Sequence, residues 1–461
     1  MFASKTYTQR RNRLKKEVES GIVLLQGNKE VGMNYHANPY PFRQDSNFLY
    51  FIGIDQPGLA AVIDIEENKT IVFGDDLSLD EVVWMGAQPS MSEMAAKAGV
   101  SETAPFSNLA GLLETALKKG RTIHFLPPYR FENMQHLGDC LGVPLNDLKA
   151  TASEKLIKAV VAQRACKSAE EVAEMGKAVT ISGAMHIAAM RAAKAGQKEA
   201  ELAGIVEGIA VSMRGNLSYP VIMTINGQTL HNHSHGNTLA KGKMVLGDFG
   251  AETASRYAGD ITRTFPVDKH FTAKQKEVYQ LVLDTEVKSI ELLKPGLPYL
   301  DVHLAAAKQI AEGLKSLGLM KGDMDDAVEQ GAHALFFPHG LGHMIGLDVH
   351  DMEGLGEDFV GYSDSVKRST QFGTASLRLG RELEPGFVLT VEPGIYFIPE
   401  LIDQWKGKNK FTDFINYDKV EEYRNFSGIR IEDNVLITNE GHRILGNPIP
   451  KTIEEVETLR Q

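Results

Sequence analysis

Four carboxylates occupy positions where a folded chain tolerates them least. Asp248 ends the apolar run KMVLGD, Asp260 opens GDITRTF, Glu392 closes FVLTVE, and Glu432 lies inside SGIRIEDNVLI. Each run combines β-branched or aromatic residues with glycine at its ends, the pattern of an interior strand, where an unpaired carboxylate is costly. Strict alternation in SGIRIEDNVLI sends Ile429 and Ile431 to one face and Arg430 and Glu432 to the other. In VLGDFGAETASRYAGDITRTF, a hairpin turning near Ala254 is expected to set Asp248 and Asp260 opposite one another with side chains on one face. Carboxylates that converge at close range stay ionised together only with a cation between them.

Histidines supply the second half of the pattern. Of 14 in the chain, three fall between His231 and His235 and four between His333 and His350. His339 and His343 are four apart, as on a zinc-binding helix, but Pro338, Gly340 and Gly342 make this stretch a poor helix. In an extended segment only one of the two need reach a cation. His350, in GLDVHD, can project into the same cavity. His231, His233 and His235 alternate, yet LHNHSHGN is polar and glycine-bearing like a loop rim, so one functional histidine is expected there. Oxygen and imidazole donors without thiolate suit Mn²⁺, Co²⁺ or Zn²⁺ and exclude iron–sulfur or cysteine–zinc chemistry. The run from Gly340 to Gly346 has the wrong glycine spacing for a nucleotide loop, and Asn216-Leu-Ser218 is a glycosylation signal only in a secreted chain.

A chain of 461 residues holds two or three domains. Hydrophobic residues at 43% and charged residues at 24% are ordinary globular composition, and 49 basic against 60 acidic side chains, net −11, argue against nucleic acid as a partner. Only Cys140 and Cys166 are present, which fits a reducing compartment. The polar, basic start and the absence of a long apolar run argue against a signal peptide or a membrane span, so a cytoplasmic protein is expected. Short apolar runs (GIVLLQG, AAVIDI, KTIVFG, RTIHFL) alternate with helix-like connectors in the first third, an α/β domain over 1–165. Ser168 and Glu171 then form a capping-box pattern ahead of an Ala-rich helix expected to end on Gly196, and the α+β remainder fills a second domain, 166–461. Polar stretches at 352–382 and 397–427 read as insertions or long loops. One motif repeats: Leu239 to Gly250 and Leu383 to Gly394 both read L-x-x-G-x5-[D/E]-x-G. It points to two related halves, each delivering one carboxylate.

The ordered set LGDFGAE, AGDITRTFPV, FPHGLGHMIGLDVHD, VLTVEPGIY and GIRIEDNVLIT resembles the pita-bread metallopeptidases, in their aminopeptidase P and prolidase branch. YPFRQDSNFLYFIGIDQPG resembles the N-terminal domain of aminopeptidase P, so the likeness covers most of the chain. It implies a pita-bread catalytic domain and two divalent metals, most often manganese, bound by Asp248, Asp260, His343, Glu392 and Glu432. Asp260 and Glu432 would bridge the pair, Asp248 would complete one metal, and His343 with Glu392 the other. His231 matches a histidine near the substrate carbonyl and His350 one that assists the tetrahedral intermediate. His339 and Arg430 match positions behind the ligands, and Glu392 also matches the general base. The implied activity is hydrolysis of the N-terminal Xaa–Pro bond of peptides with proline at the second position, by a homodimer or homotetramer. The alternatives are a prolidase restricted to dipeptides, a metal-free creatinase-type hydrolase and a metal-free binding module. Asp248 and Asp260 are twelve apart, one more than the family pattern, ascribed to an extra residue in ETASR.

Overall fold

A computed structural model describes residues 2–461. The chain forms two compact units, residues 2–164 with Gly354–Phe359, and Ala165–Glu353 with Val360–Gln461. In the first unit, β1 (Ile22–Gln26), β2 (Ala60–Asp64), β3 (Lys69–Phe73), β4 (Glu102–Ala104) and β5 (Ile123–His124) form one sheet in the order β4-β3-β2-β1-β5. The three central strands are antiparallel and the two edge strands join in parallel. Ile22, Leu24, Val62 and Phe73 pack with Leu109, Leu113 and Leu137 from the helices Asn108–Lys118 and Phe131–Leu141. The polar connector after β3 folds as two short helices, Leu79–Met85 and Met91–Lys97, each opened by a serine–glutamate capping box.

The second unit is built twice over from one plan. In the first half the helix Ala169–Ala192, opened by the Ser168–Glu171 capping box, packs on Glu199–Ser212. The helix is capped by Ala193; Gly196, at φ 94, instead turns the chain onto Leu239, whose carbonyl accepts from the Gly196 N–H at 2.9 Å. In the second half Ala273–Leu292 packs on Tyr299–Ser316, and the Gly296 N–H, at φ 83, donates to the Leu383 carbonyl at 2.8 Å. The repeated motif is therefore one turn used twice, with Gly242 and Gly386 both at positive φ. Each turn leads into a strand that ends at an acid.

The first of these strands is central in its sheet and the second lies at the edge of its own. With β6 (Asn216–Leu217) and β7 (Ile222–Thr224) preceding it, β8 (Met244–Asp248) lies between β7 and β10 (Thr262–Pro266), while β9 (Ala251–Glu252) pairs with β6. In the second half β11 (Val388–Val391) pairs with β14 (Asp433–Ile437), β12 (Gly394–Tyr396) with β13 (Gly428–Arg430), and β15 (His442–Ile444) adds to β14. The first hairpin turns about Ser255, one residue later than the sequence suggested, with Asp248 opposite Thr262 and Glu252 bridging Ala258. Asp260 therefore faces Gly250 across the ladder and Asp248 lies diagonally from it on the same face. Glycine is required here, because a Cβ on Gly250 would come within 1.9 Å of the Gly259 carbonyl oxygen. The stretch 397–427 is not a plain loop: it holds the helices Pro399–Gly407 and Tyr417–Glu421, anchored by buried Ile402, Trp405 and Val420.

Buried imidazoles fill the core of this unit. His186 stacks on Phe249 at 3.9 Å, and both ring nitrogens of His303 and of His333 lack a hydrogen-bond partner among the described residues. Burial pushes His186 and His303 down to about 3 and His333 to about 4. A depressed histidine pKa gives stability that is complete above the unfolded value of about 6.5 and is lost as pH falls toward the folded value. At pH 4.5 each ring should cost roughly 2 to 3 kcal/mol. Urea unfolding in chelator at pH 7 and 4.5 should show that loss, and His303→Leu/His333→Leu should retain more of its neutral-pH stability. An acid limb unchanged by the double substitution would mean that these rings are already protonated in the folded state.

Candidate metal centre

The four acids converge from the two halves. Asp248 ends β8 and Asp260 precedes β10, while Glu392 follows β11 directly. Val391 pairs with Asp433 and Gly394 with Arg430, so the same register sets Glu392 opposite Glu432. The halves are joined at this point: the Glu432 N–H donates to the Thr262 carbonyl at 3.1 Å, and Thr262 Oγ1 donates to Glu432 Oε2 at 2.6 Å. His343 arrives on an extended segment along β11, its N–H bonded to Thr390 Oγ1 and its carbonyl accepting from the Thr390 N–H, both at 3.0 Å. That pairing is why the H-x-x-x-H spacing does not mark a helix here.

A cavity of about 520 Å³ collects Asp248, Asp260, His343, Glu392 and Glu432 together with His231, His339, His350 and Arg430. His343 Nε2 lies 3.4 Å from Asp260 and 3.6 Å from Glu392, and donor atoms of Asp260, His343 and Glu432 fit within 4.8 Å of one another. His350 stands edge-on to His343 at 4.3 Å, and its Nδ1 meets Glu353 Oε2 at 2.5 Å. His339 sits behind the acids, Nε2 on the Tyr396 hydroxyl at 2.8 Å, and burial pushes it down to about 3. His231 and His233 line the cavity, whereas His235 is turned to the Val221 carbonyl at 2.9 Å. Arg430 fans across this cluster, to Asp248, to the Tyr396 hydroxyl at 2.7 Å and to Thr262 Oγ1 at 3.2 Å.

Tyr219, Thr262, Tyr396 and Arg378 were not singled out from the sequence. The Tyr219 hydroxyl touches both Asp260 Oδ1 and, at 2.7 Å, Asp248 Oδ1. It precedes β7 in the unremarkable run SYPVIMTI, and no local pattern sets it apart. Arg378 enters the cavity wall from the polar stretch read as an insertion and donates to Glu353 at 3.2 Å.

Electrostatics show what the cluster lacks. Burial and the neighbouring acids raise Glu432 well above the carboxylate range and Glu392 to about 7. Burial raises Asp248 too, against the pull of Arg430. Only Asp260 is lowered, because hydrogen bonds from His343 and Tyr219 outweigh its burial. One phenolic proton cannot serve two carboxylates at once, and Glu432 Oε1 is fully buried with no hydrogen-bond partner among the described residues. An oxygen-and-imidazole set with an orphaned carboxylate oxygen fits a divalent cation. Arg430 is the counter-charge the chain itself supplies. Arg430→Met should cost about 3–5 kcal/mol, the price of stranding a buried carboxylate, in urea unfolding of metal-free protein; a loss under about 1 kcal/mol would show that Asp248 is neutral there.

Comparison with known proteins agrees with this architecture. The model of metallopeptidase family M24 matches residues 173–439, and that of the aminopeptidase P N-terminal domain matches 7–124. The chain is 34% identical to the Homo sapiens Xaa-Pro dipeptidase over 451 residues, covering 95% of this chain and 89% of the relative. It is also 34% identical to a probable Xaa-Pro aminopeptidase of Botryotinia fuckeliana, over 96% and 93% of the two chains. Solved structures of aminopeptidase P superpose over 100% of this chain and 98% of theirs. The Pseudomonas aeruginosa enzyme does so at TM-score 0.82 and 27% identity, and an Escherichia coli enzyme in complex with substrate at 0.81 and 30%. Two strands, each leading to an acid, and a histidine on a third segment are thus the core of a peptidase: the chain belongs to metallopeptidase family M24 and carries an aminopeptidase P N-terminal domain.

Proposed function

We propose that this peptidase is an Xaa-Pro aminopeptidase, releasing the first residue of peptides with proline at the second position. It would hold two divalent cations, manganese in the first instance and cobalt or zinc as the alternatives, on Asp248, Asp260, His343, Glu392 and Glu432. The observation that carries the reading is the buried, unpartnered Glu432 Oε1 amid three further acids. Asp260 and Glu432 would serve both cations, Asp248 would complete one, and His343 with Glu392 the other. When bound, the cations supply Lewis acidity that makes hydroxide available near neutral pH and polarises the scissile carbonyl.

The protein groups do the rest. Glu392 takes the proton from the attacking water and passes it to the leaving nitrogen of proline. Glu353, whose carboxyl is held at about 2 chiefly by its hydrogen bond with His350, engages Nδ1 and leaves Nε2 for the substrate oxyanion. Burial keeps His231 below its ordinary value, so it meets the carbonyl region as a neutral ring. Proline offers no N–H, so its recognition rests on shape, and Ile222, Leu230 and Val349 on the cavity wall supply an apolar surface for it. Arg430 and His339 hold the ligands from behind.

Two broader features are part of the same proposal. Homo-oligomer formation, as dimer or tetramer, is supported by the helix Leu79–Met85, which buries none of its side chains and leaves Leu79 and Trp84 at 86% and 85% exposure. A cytoplasmic setting is supported by thiol cysteines, and no helix among the described residues is long and apolar enough to cross a membrane.

The Xaa-Pro dipeptidase relative favours a second reading, restriction to dipeptides. Metal-stripped enzyme given Mn²⁺, Co²⁺ or Zn²⁺ and offered an Xaa-Pro dipeptide and an Xaa-Pro-Yaa tripeptide decides between them. Cleavage of the tripeptide is expected; cleavage of the dipeptide alone makes the protein a dipeptidase, and full activity in strong chelator removes the metals from the mechanism. Asp260→Asn and Glu432→Gln should each bring turnover below detection while leaving the fold intact, as read by circular dichroism. Leu79→Glu/Trp84→Glu should shift the mass seen by light scattering to that of one chain, and an unchanged mass places the interface elsewhere.

A further inference from the structure

Directly behind the acids, on the opposite face of β10, lies the side chain of Arg263, one of the largest fully buried side chains among the described residues. Alternation along the strand turns Thr262 toward Glu432 and Arg263 away from the cavity. Removing a guanidinium from water is costly unless its charge and all its donors are met. All five are. Nε donates to the Pro450 carbonyl at 3.1 Å; Nη1 to the Thr262 carbonyl at 2.9 Å and the Glu432 carbonyl at 2.6 Å; Nη2 to Asp433 Oδ1 at 2.6 Å and the Ile449 carbonyl at 3.3 Å. Asp433 Oδ2 in turn accepts from Lys451 Nζ at 2.6 Å, and the same ammonium meets both oxygens of Glu286, in the helix Ala273–Leu292, at 2.7 and 2.8 Å. Arg263, Asp433, Lys451 and Glu286 thus form one buried network of alternating basic and acidic side chains inside the unit.

The geometry of the fork matters more than its charge. One nitrogen, Nη1, binds the main-chain carbonyls of Thr262 and of Glu432 together, so it fixes the separation of the two strands that present Asp260 and Glu432. The planar guanidinium does this with rigid spacing, which an ammonium cannot reproduce. Ligands held to within about 0.5 Å bind a metal without first being ordered. We infer that Arg263 is a positioning residue for the metal pair, spacing the two shared carboxylates from the back of the sheet, and that Lys451 makes this spacing depend on the segment after β15. The inference rests on the two-metal reading above.

Titration calorimetry of Mn²⁺ into metal-stripped full-length protein tests it apart from activity. Wild type should take up two ions. Arg263→Lys, which keeps the charge and loses the fork, should bind Mn²⁺ ten- to a hundredfold more weakly, while KM for the tripeptide at saturating Mn²⁺ stays unchanged. Val456→Ala, in the core of the helix Ile453–Leu459, provides a destabilised control that should keep the wild-type affinity. A folded Arg263→Lys with wild-type affinity overturns the inference, and so does a Val456→Ala that loses as much affinity for the same drop in Tm. If Arg263→Lys does not fold, Lys451→Met, which leaves the Arg263–Asp433 pair in place, should weaken binding at least threefold, and no change there overturns the inference equally. Wild type that takes up no Mn²⁺ removes the two-metal reading itself, and this inference falls with it; two ions in wild type with unaltered variants removes the inference alone.

Discussion

Everything in the catalytic unit answers to the mutual repulsion of four carboxylates brought to one place. The backbone cost of assembling them is met by regular β-pairing: Asp248 ends β8 and Glu392 follows β11, and Asp260 and Glu432 precede the strands paired with these two. The electrostatic cost is met only in part. Arg430 compensates Asp248, and His343 and Tyr219 draw Asp260 toward its ionised form, but Glu392 and Glu432 are left favouring their protons. Such a cluster is a cation site by default, because a proton on each acid is the only other way to relieve it.

Duplication explains how one chain arrives at such a constellation. Each half contributes a helix pair, a glycine turn and a strand ending in an acid, and the corresponding hydrogen bonds, Gly196 to Leu239 and Gly296 to Leu383, differ by only 0.1 Å. The donors of Asp260, His343 and Glu432 that fit within 4.8 Å of one another come from both halves. The halves differ in what they add: the histidine against Asp260 comes from the segment beside β11, and Arg430 reaches back to the acid of the first half.

Much of this was legible in the sequence because the signals are local. Alternation in SGIRIEDNVLI separated Arg430 and Glu432 from Ile429 and Ile431, glycine and proline around His339 argued against a helix, and the ordered motifs led to the family. The repeat of L-x-x-G-x5-[D/E]-x-G was already a statement about architecture. What escaped depends on distant contacts or on single-residue register. The hairpin turns about Ser255 and not Ala254, a shift that changes the cross-strand partner of Asp260 while preserving its face. Gly196 serves the turn to Leu239 and not the helix cap, and the polar stretch 397–427 hides helices whose few buried residues, Ile402, Trp405 and Val420, are too sparse to show a period. Tyr219, Tyr396 and Thr262 owe their place to partners far along the chain, which no window of sequence contains.

The seam between the halves also orders events in time. Asp248 and Asp260 are synthesised with the first half, but Glu432 and the Lys451 that steadies its neighbour follow only after the second half has been made. The counter-charge of Asp248 is also late in the chain, since it is supplied by Arg430. A chain that ends before β13 lacks Arg430 and so leaves Asp248 without its counter-charge.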